Sequence, residues 1–140
     1  MTPIETRHAE IIADFADMDD WSERYEFIVE LGKELKPLAA EFHVPELKVS
    51  GCVSQVWLRA VIVGEKLEFS ADSDSIFVKG LIALLIRAYS GFAPSEIAAA
   101  NADFLKTIGI TENLSPNRAN GLGSMVARIR DYALHFSAAR

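Results

Sequence analysis

Hydrophobic side chains recur at helical spacing over the first 35 residues and alternate with polar ones between residues 55 and 71. Thr2-Pro3-Ile4-Glu5 combines a threonine N-cap, a proline at the first helical position and a glutamate three residues after the cap, which together predict a helix. Asp20-Trp21-Ser22-Glu23 repeats the capping pattern ahead of a second amphipathic segment, which we expect Pro37 to end. The two segments predict an α-hairpin.

The middle of the chain carries the pattern of a small antiparallel sheet. Residues 46–49 and 55–63 are strand-like, and Val63-Gly64-Glu65-Lys66 predicts a two-residue hairpin turn with glycine at its first central position. From Lys66 to Ala71 apolar and polar side chains alternate, which is typical of a strand with one buried and one exposed face. The pattern predicts a three-stranded antiparallel meander.

The second half of the chain is helical. Asp72-Ser73-Asp74-Ser75 offers caps for a helix from about Ile76 to Tyr89, which is apolar on most sides and is expected to pack centrally across the sheet. Short helices are expected from Pro94 and around Phe104, and Ser115-Pro116 begins a last long helix. No repeat or linker divides residues 1–140, so we expect one domain of the α+β class, a three-stranded antiparallel sheet packed with helices.

Composition limits the classes of function. Half of the 140 residues are hydrophobic and the net charge is −6, which is typical of a soluble globular domain without general attraction to nucleic acid or an anionic membrane. Residues 1–44 carry a net charge of −7 and residues 45–140 one of +1; this could orient a partner, although solvated helix surfaces explain it more simply. The longest apolar run, Leu81 to Ile86, is too short to span a bilayer, and the first residues do not resemble a secretory signal.

Cys52 is the single cysteine of the chain. A lone cysteine forms no internal disulfide and supplies one of the three or four ligands that a zinc or iron–sulfur site usually takes from its own chain. Cys52 is therefore either an inert core thiol or a nucleophile that works with sulfur from elsewhere. Gly51 permits a bend before it and a strand pattern follows it, which favours a strand-connecting loop. A free thiol without an export signal leads us to expect a cytoplasmic protein.

Cys52 lies in the string Gly51-Cys52-Val53-Ser54-Gln55-Val56-Trp57-Leu58. This string closely resembles the signature of the SufE family, sulfur-accepting partners of cysteine desulfurases in which the cysteine after glycine carries a persulfide. The resemblance covers roughly residues 10–136 and is complete in the Gly-Cys-x-Ser-Gln-x-Trp motif. The matching strings are Gly51-Cys52-Val53-Ser54-Gln55-Val56-Trp57-Leu58, Trp21-Ser22-Glu23-Arg24-Tyr25, Glu30-Leu31-Gly32, Asp72-Ser73-Asp74, Val78-Lys79-Gly80-Leu81-Ile82, Leu114-Ser115-Pro116-Asn117-Arg118 and Gly121-Leu122 with Met125.

The resemblance implies an α+β fold of the SufE/IscU type and a function. A pyridoxal-phosphate-dependent cysteine desulfurase, SufS-like or CsdA-like, would donate sulfane sulfur to Cys52 and be stimulated in return. The sulfur would then pass to a cluster scaffold or another acceptor. The chain would be a sulfur acceptor and activator, not an enzyme, and nothing in it resembles a cofactor-binding motif, so the pyridoxal phosphate would belong to the partner.

The resemblance also implies roles for residues around the cysteine. Gly51, Ser54 and Gln55 of the motif would support the loop or contact the partner. Asp74 is most simply a helix cap, but its matching position in the family adjoins the loop and influences its mobility. Arg118 is either a solvated surface arginine or, as in the family, a residue near the loop that contacts the desulfurase.

We further hypothesise that the loop has two placements, tucked against the body at rest and extended during sulfur transfer. Val53, Val56 and Trp57 supply apolar material that could shelter Cys52 in the tucked placement. Gly121 and Gly123 lie near the start of the last helix, where close packing of the sheet or the loop would account for them.

Other classes of function remain open at this point. A self-sufficient thiol hydrolase or peroxidase would need a base near Cys52, and His43 is the nearest candidate in the sequence. An inert binding module would leave Cys52 incidental, and a cluster scaffold would lack ligands unless two chains bridged the cluster. The sequence does not decide the oligomeric state, a homodimer included.

Overall fold

Residues 1–138 are described by a computed structural model, in which helices pack against a two-stranded antiparallel sheet. The regular elements are α1 (Pro3–Ala16), α2 (Trp21–Glu34), β1 (Val56–Val63), β2 (Lys66–Ser73), α3 (Ile76–Tyr89), α4 (Pro94–Ala99), α5 (Asp103–Thr107) and α6 (Pro116–Ala138). One-turn 3-10 helices lie at Ala40–Phe42, Pro45–Leu47 and Thr111–Asn113. The predicted α+β class is confirmed.

The first two helices begin where their caps predict. Thr2 and Glu5 form a reciprocal capping box at α1, and the Asp20 carboxylate accepts a hydrogen bond from the Glu23 N–H at α2. These contacts satisfy N–H groups that have no partner within the helix. The chain leaves α2 at Leu35, which is extended, two residues before Pro37.

The sheet has two strands and not three, because the predicted first strand at residues 46–49 is absent. The β1–β2 hairpin turns at Gly64 and Glu65 as expected, with Val63 opposite Lys66. Residues 46–49, however, do not form a strand, because Pro45 opens a 3-10 turn that runs to Leu47. Proline fixes φ near −65° and has no N–H to donate, so it favours a turn over a sheet ladder. What remains is a single bridge between Lys48 and Trp57.

The apolar helix α3 is central, as its composition predicts, and packs on α2, β2, α1 and α6. α2 packs mainly against α3, and its contact with α1 is smaller and includes the ring pair Phe15–Phe27, so the predicted α-hairpin is only a minor packing unit. The two helices approach closely at Gly32 and Gly80, where a Cβ on Gly80 would collide with the backbone oxygen of Ile28. The long helix α6 packs on α4 and α3 and runs past the start of β1, which places it beside Cys52.

Candidate functional site

Cys52 lies in a short loop whose two ends are paired. The Val49 N–H donates to the Val56 oxygen over 2.8 Å, next to the bridge between Lys48 and Trp57. Gly51 adopts φ +90°, a left-handed backbone conformation. This conformation is energetically unfavourable for any residue that has a Cβ. The predicted bend is therefore present, and Cys52 lies at its tip, between residues 45–49 and β1.

Asp74 anchors the end of the loop that leads into β1. Its Oδ1 accepts the Gln55 N–H at 2.9 Å, its Oδ2 accepts the Gln55 side-chain amide at 3.3 Å, and its own N–H donates to the Gln55 oxygen at 3.3 Å. The simple interpretation of Asp74 as a helix cap is wrong, because the N-cap of α3 is Ser75, whose hydroxyl accepts the Val78 N–H. Asp74 is a loop anchor, and Ser73 adds a hydroxyl bond to the Gln55 oxygen at 2.7 Å.

The tip of the loop rests on small residues of α6. Cys52 Sγ lies 3.6 Å from the Gly121 oxygen, the distance of a weak S–H···O hydrogen bond. A Cβ on Gly121 would lie 3.5 Å from Sγ, and a Cβ on Gly51 would collide with the Ser124 hydroxyl. Gly121 therefore packs on the loop, as predicted, whereas a Cβ on Gly123 would meet no atom within 4 Å. We call Gly121 and Ser124 the seat of the loop.

Burial on this seat affects the chemistry of the thiol. Cys52 is half-buried, and desolvation raises the pKa of its thiol above the ordinary value. Burial disfavours the charged form, so the seated side chain is mainly the neutral thiol at pH 7. Since the thiolate is the nucleophile, the seated placement holds Cys52 in a less reactive form.

A cavity of about 340 Å³ opens beside Cys52 and brings three of the predicted site residues together, whereas Gly51, Gln55 and Asp74 do not line it. Cys52 and Ser54 line it from the loop, and Arg118 lines it from the first turn of α6. The remaining walls come from Val53, Val78, Leu81, Ser115, Asn117, Gly121 and Met125. The cavity thus combines an apolar floor with one cation and one thiol.

Arg118 is held in this cavity by an aromatic contact. Its guanidinium carbon lies 5.0 Å from the centroid of the Phe77 ring, within the range of a cation–π interaction. Within residues 1–138 it forms no salt bridge, so its N–H groups remain available to an anionic or polar group entering the cavity. The Arg118 backbone N–H donates to the Ser115 hydroxyl at 3.3 Å, which confirms Ser115 as the cap of α6.

The three apolar residues predicted to shelter Cys52 lie in different environments and do not form a common cover over the thiol. Val53 is 81 % exposed, Val56 is fully buried, and Trp57 stacks on the His43 ring at a centroid distance of 4.4 Å. The shelter comes from α6 instead. The sequence pattern predicted a packing role for Gly121 but not for Ser124. The sequence signal that could have identified Ser124 is its i, i+3 spacing from Gly121, which puts two small residues on one helix face.

His43 is committed elsewhere and does not pair with Cys52. Its Nε2 lies 3.2 Å from Asp72 Oδ2, and its ring stacks on Trp57. Among residues 1–138 the hydrogen-bond partner of Cys52 Sγ is the Gly121 oxygen. The base that a self-sufficient thiol enzyme needs is thus not supplied by His43 in this arrangement.

The described part of the chain, residues 1–138, offers neither a cluster of metal ligands nor a membrane-spanning helix. No group of three or more histidine, cysteine, aspartate or glutamate side chains there is arranged to hold a metal ion. No helix of that part has the length and apolar character needed to cross a bilayer.

Comparison with known proteins identifies relatives along most of the chain. Residues 9–133 match the family model described as SufE, the Fe-S metabolism associated domain. An uncharacterized SufE-like protein of Rhizobium etli is 49 % identical over 129 residues, which cover 89 % of this chain and 87 % of the relative. A SufE-like protein of Rhizobium meliloti is 43 % identical, with 89 % of this chain and 92 % of the relative covered.

A plant relative and a solved structure extend the comparison. SufE-like protein 1 of Arabidopsis thaliana, named as chloroplastic/mitochondrial, is 42 % identical over 90 % of this chain, but the match spans only 34 % of that longer protein. The solution structure of a hypothetical protein from Thermus thermophilus superposes with a TM-score of 0.76 at 18 % identity and covers 92 % of this chain and 94 % of its own. At that identity the superposition supports the fold alone.

Proposed function

Because this chain belongs to the SufE family, we propose that Cys52 accepts sulfane sulfur from a pyridoxal-phosphate-dependent cysteine desulfurase and carries it as a persulfide. The family and the names of the relatives support a role in Fe–S metabolism by a non-catalytic accessory protein. Persulfide formation on Cys52, stimulation of the desulfurase and delivery of the sulfur to cluster assembly form the finer proposal.

The proposed transfer is a nucleophilic displacement at sulfur. The Cys52 thiol first loses its proton to solvent, and its thiolate attacks the terminal sulfur of a persulfide on the donor. A new S–S bond forms to Cys52 while the donor's S–S bond breaks, and the donor cysteine leaves as a thiolate. The sulfane sulfur keeps its oxidation state, so no external oxidant or reductant takes part.

One observation carries the proposal: Cys52 and Arg118 line the same cavity beside the cysteine loop. A persulfide on Cys52 would carry an anionic terminal sulfur, and Arg118 has N–H groups available to an anion there. Arg118 would also offer a cation to the donor's leaving thiolate. The exposed Val53 next to Cys52 adds an apolar contact for a docking partner.

The neutral, seated thiol supports the proposed two placements of the loop. In the tucked placement burial raises the pKa of Cys52 and limits stray reactions, whereas in the extended placement the thiol regains an ordinary pKa. The Gln55 contacts with Asp74 would then keep the end of the loop in place. Hydrogen exchange at residues 50–54 that is equally slow with and without the desulfurase would contradict this movement.

The partner is expected to be SufS-like or CsdA-like, with a cluster scaffold or another sulfur acceptor downstream. We also propose a cytoplasmic location, or another reducing compartment, because the transfer requires a free thiol. The plant relative is named for two organelles, so the compartment differs within the family. Neither proposal depends on whether the chain forms a homodimer.

The decisive experiment is intact-mass spectrometry after incubation with a cysteine desulfurase and L-cysteine, without reductant. We expect wild-type protein to gain one or more sulfur atoms and Cys52→Ser to gain none, and only the wild type to stimulate the desulfurase. A Cys52→Ser variant that stimulates fully would favour the inert binding module. No sulfur gain by the wild type with any desulfurase of the same cell would overturn the proposal.

A further inference from the structure

The segment that leads into the cysteine loop is fixed to α6 by one arginine. Arg128 Nη1 donates to the Lys48 oxygen at 3.1 Å, and Nη2 donates to the Glu46 oxygen at 2.7 Å. Both carbonyls belong to residues 45–49, which we call the stem. Hydrogen bonds from a charged donor are roughly twice as strong as neutral ones, so this pair is a firm attachment between α6 and the stem.

Arg128 is itself oriented by Tyr132, one turn further along α6. Its guanidinium carbon lies 5.0 Å from the Tyr132 ring centroid, and its Nη2 lies 3.2 Å from the Tyr132 hydroxyl. The Tyr132 hydroxyl in turn donates to the Leu58 oxygen in β1 at 2.8 Å. The two side chains therefore tie both the stem and the strand after the loop to the same helix.

The contacts of α6 with the loop differ in strength along the helix. Gly121, Ser124, Arg128 and Tyr132 follow one another at intervals of three or four residues and so share one face. The seat at Gly121 and Ser124 makes van der Waals contacts and one weak S–H···O bond, whereas Arg128 makes two charge-assisted bonds to the stem. The tip of the loop is thus held by weak contacts, whereas the stem is held by two stronger hydrogen bonds.

We propose that Arg128 is a positioning residue for the Cys52 loop: by fixing the Glu46 and Lys48 carbonyls it keeps the stem in place and returns the tip to its seat. Its relevance to sulfur transfer rests on the proposed function, since a fixed stem would present the tip at a constant position to the desulfurase. The positioning itself does not depend on that function.

A matched pair of variants tests this role. Arg128→Ala removes the stem contacts, whereas Arg130→Ala removes a guanidinium two residues away whose bond, 3.0 Å to the Ala100 oxygen, ties α6 to a distant segment. We expect Arg128→Ala to raise the rate of Cys52 alkylation by iodoacetamide about fivefold or more relative to Arg130→Ala, the effect of losing one ordinary net hydrogen bond. Equal rates in the two variants would overturn the proposal.

The pH profile of alkylation separates positioning from direct electrostatics. Loss of a nearby cation would raise the pKa of the Cys52 thiol, whereas release from a buried seat would lower it toward the ordinary value. We expect the midpoint to fall in Arg128→Ala and to be partly restored in Arg128→Lys, whose ammonium can reach one carbonyl. A midpoint that rises, or that stays unchanged, would contradict the proposed role.

A measurement on the wild type covers the case in which Arg128→Ala does not fold. The N–H groups of Lys48 and Val49 donate to the Pro45 and Val56 oxygens, so a fixed stem should exchange them more slowly than the amides of residues 51–54. Equally fast exchange would mean that the stem is not held. If Cys52 gains no sulfur while the alkylation rates still differ, the proposed function fails and the positioning role stands.

Discussion

Replacing Gly51 by alanine is expected to lift the Cys52 thiol from its seat while the rest of the protein stays folded. Gly51 has φ +90°, and a Cβ there would collide with the Ser124 hydroxyl. A left-handed conformation costs a residue with a side chain about 1–2 kcal/mol, and the collision adds to that cost. The loop can escape both penalties by leaving α6, because its tip is held there by weak contacts.

The size of the effect follows from this strain. A penalty of about 1–2 kcal/mol shifts the equilibrium between seated and lifted loop about 5- to 30-fold, since about 1.4 kcal/mol corresponds to a factor of ten. Alkylation of Cys52 should accelerate by a factor in that range, provided that the lifted thiol reacts faster than the seated one. The midpoint of its pH profile should fall as well, because burial raises the pKa of the seated thiol.

The control is Gly91→Ala. Gly91 has φ +89°, so the backbone penalty is the same, but a Cβ there would meet no atom within 4 Å, and the residue lies between α3 and α4. We expect it to lower the free energy of unfolding without changing the alkylation rate. The reasoning is refuted if Gly51→Ala alkylates at the wild-type rate, or if Gly91→Ala accelerates alkylation equally.

Three further predictions concern other parts of the molecule. In urea denaturation Gly80→Ala should lower the free energy of unfolding by about 1–3 kcal/mol, because its Cβ would collide with the Ile28 backbone, whereas Gly123→Ala should raise it by about 0.5–1 kcal/mol. Arg118→Ala should slow sulfur loading of Cys52 at an unchanged melting temperature, and equal loading rates would exclude a role for Arg118 in transfer. Burial lowers the pKa of His8 below its unfolded value of about 6.5, so the free energy of unfolding should fall as pH drops below that value, and less steeply in His8→Gln.

Local sequence signals predicted most of the helical framework. The helix Ile76–Tyr89 begins and ends where its caps and apolar pattern place it, because capping and periodicity act within a few residues. The cap itself was harder to assign, since Asp74 and Ser75 are both suitable residues. In the structure Ser75 is the N-cap of α3, and Asp74 binds Gln55, which lies 19 residues earlier in the chain. Propensity ranks candidate caps but does not show which side chain a neighbouring loop requires.

The prediction of a first strand at residues 46–49 was wrong for a related reason. Residues 46–49 have a strand-like composition, but Pro45 directs the chain into a 3-10 turn, and the Glu46 and Lys48 carbonyls are occupied by Arg128. An arginine about 80 residues away in the sequence thus takes acceptors that a sheet ladder would need. Periodicity within a window of the sequence contains no information about such a distant donor.

The candidate site divides along the same line. The bend at Gly51 and the thiol of Cys52 are local features, whereas the acceptor of the thiol, the Gly121 oxygen, is a backbone atom 69 residues away that no side-chain pattern marks.

The weak contacts at the tip of the loop and the stronger contacts at its ends have complementary consequences. A tip held by van der Waals contacts and one S–H···O bond could leave α6 at little cost. The contacts of Asp74 and Arg128 would confine the proposed movement to the few residues between them. A loop held firmly at the tip would bury its thiol permanently. A loop without anchors would lose conformational entropy each time it became ordered on a partner, which would weaken binding. The observed distribution of contacts avoids both penalties, as the proposed transfer of sulfur through Cys52 would require.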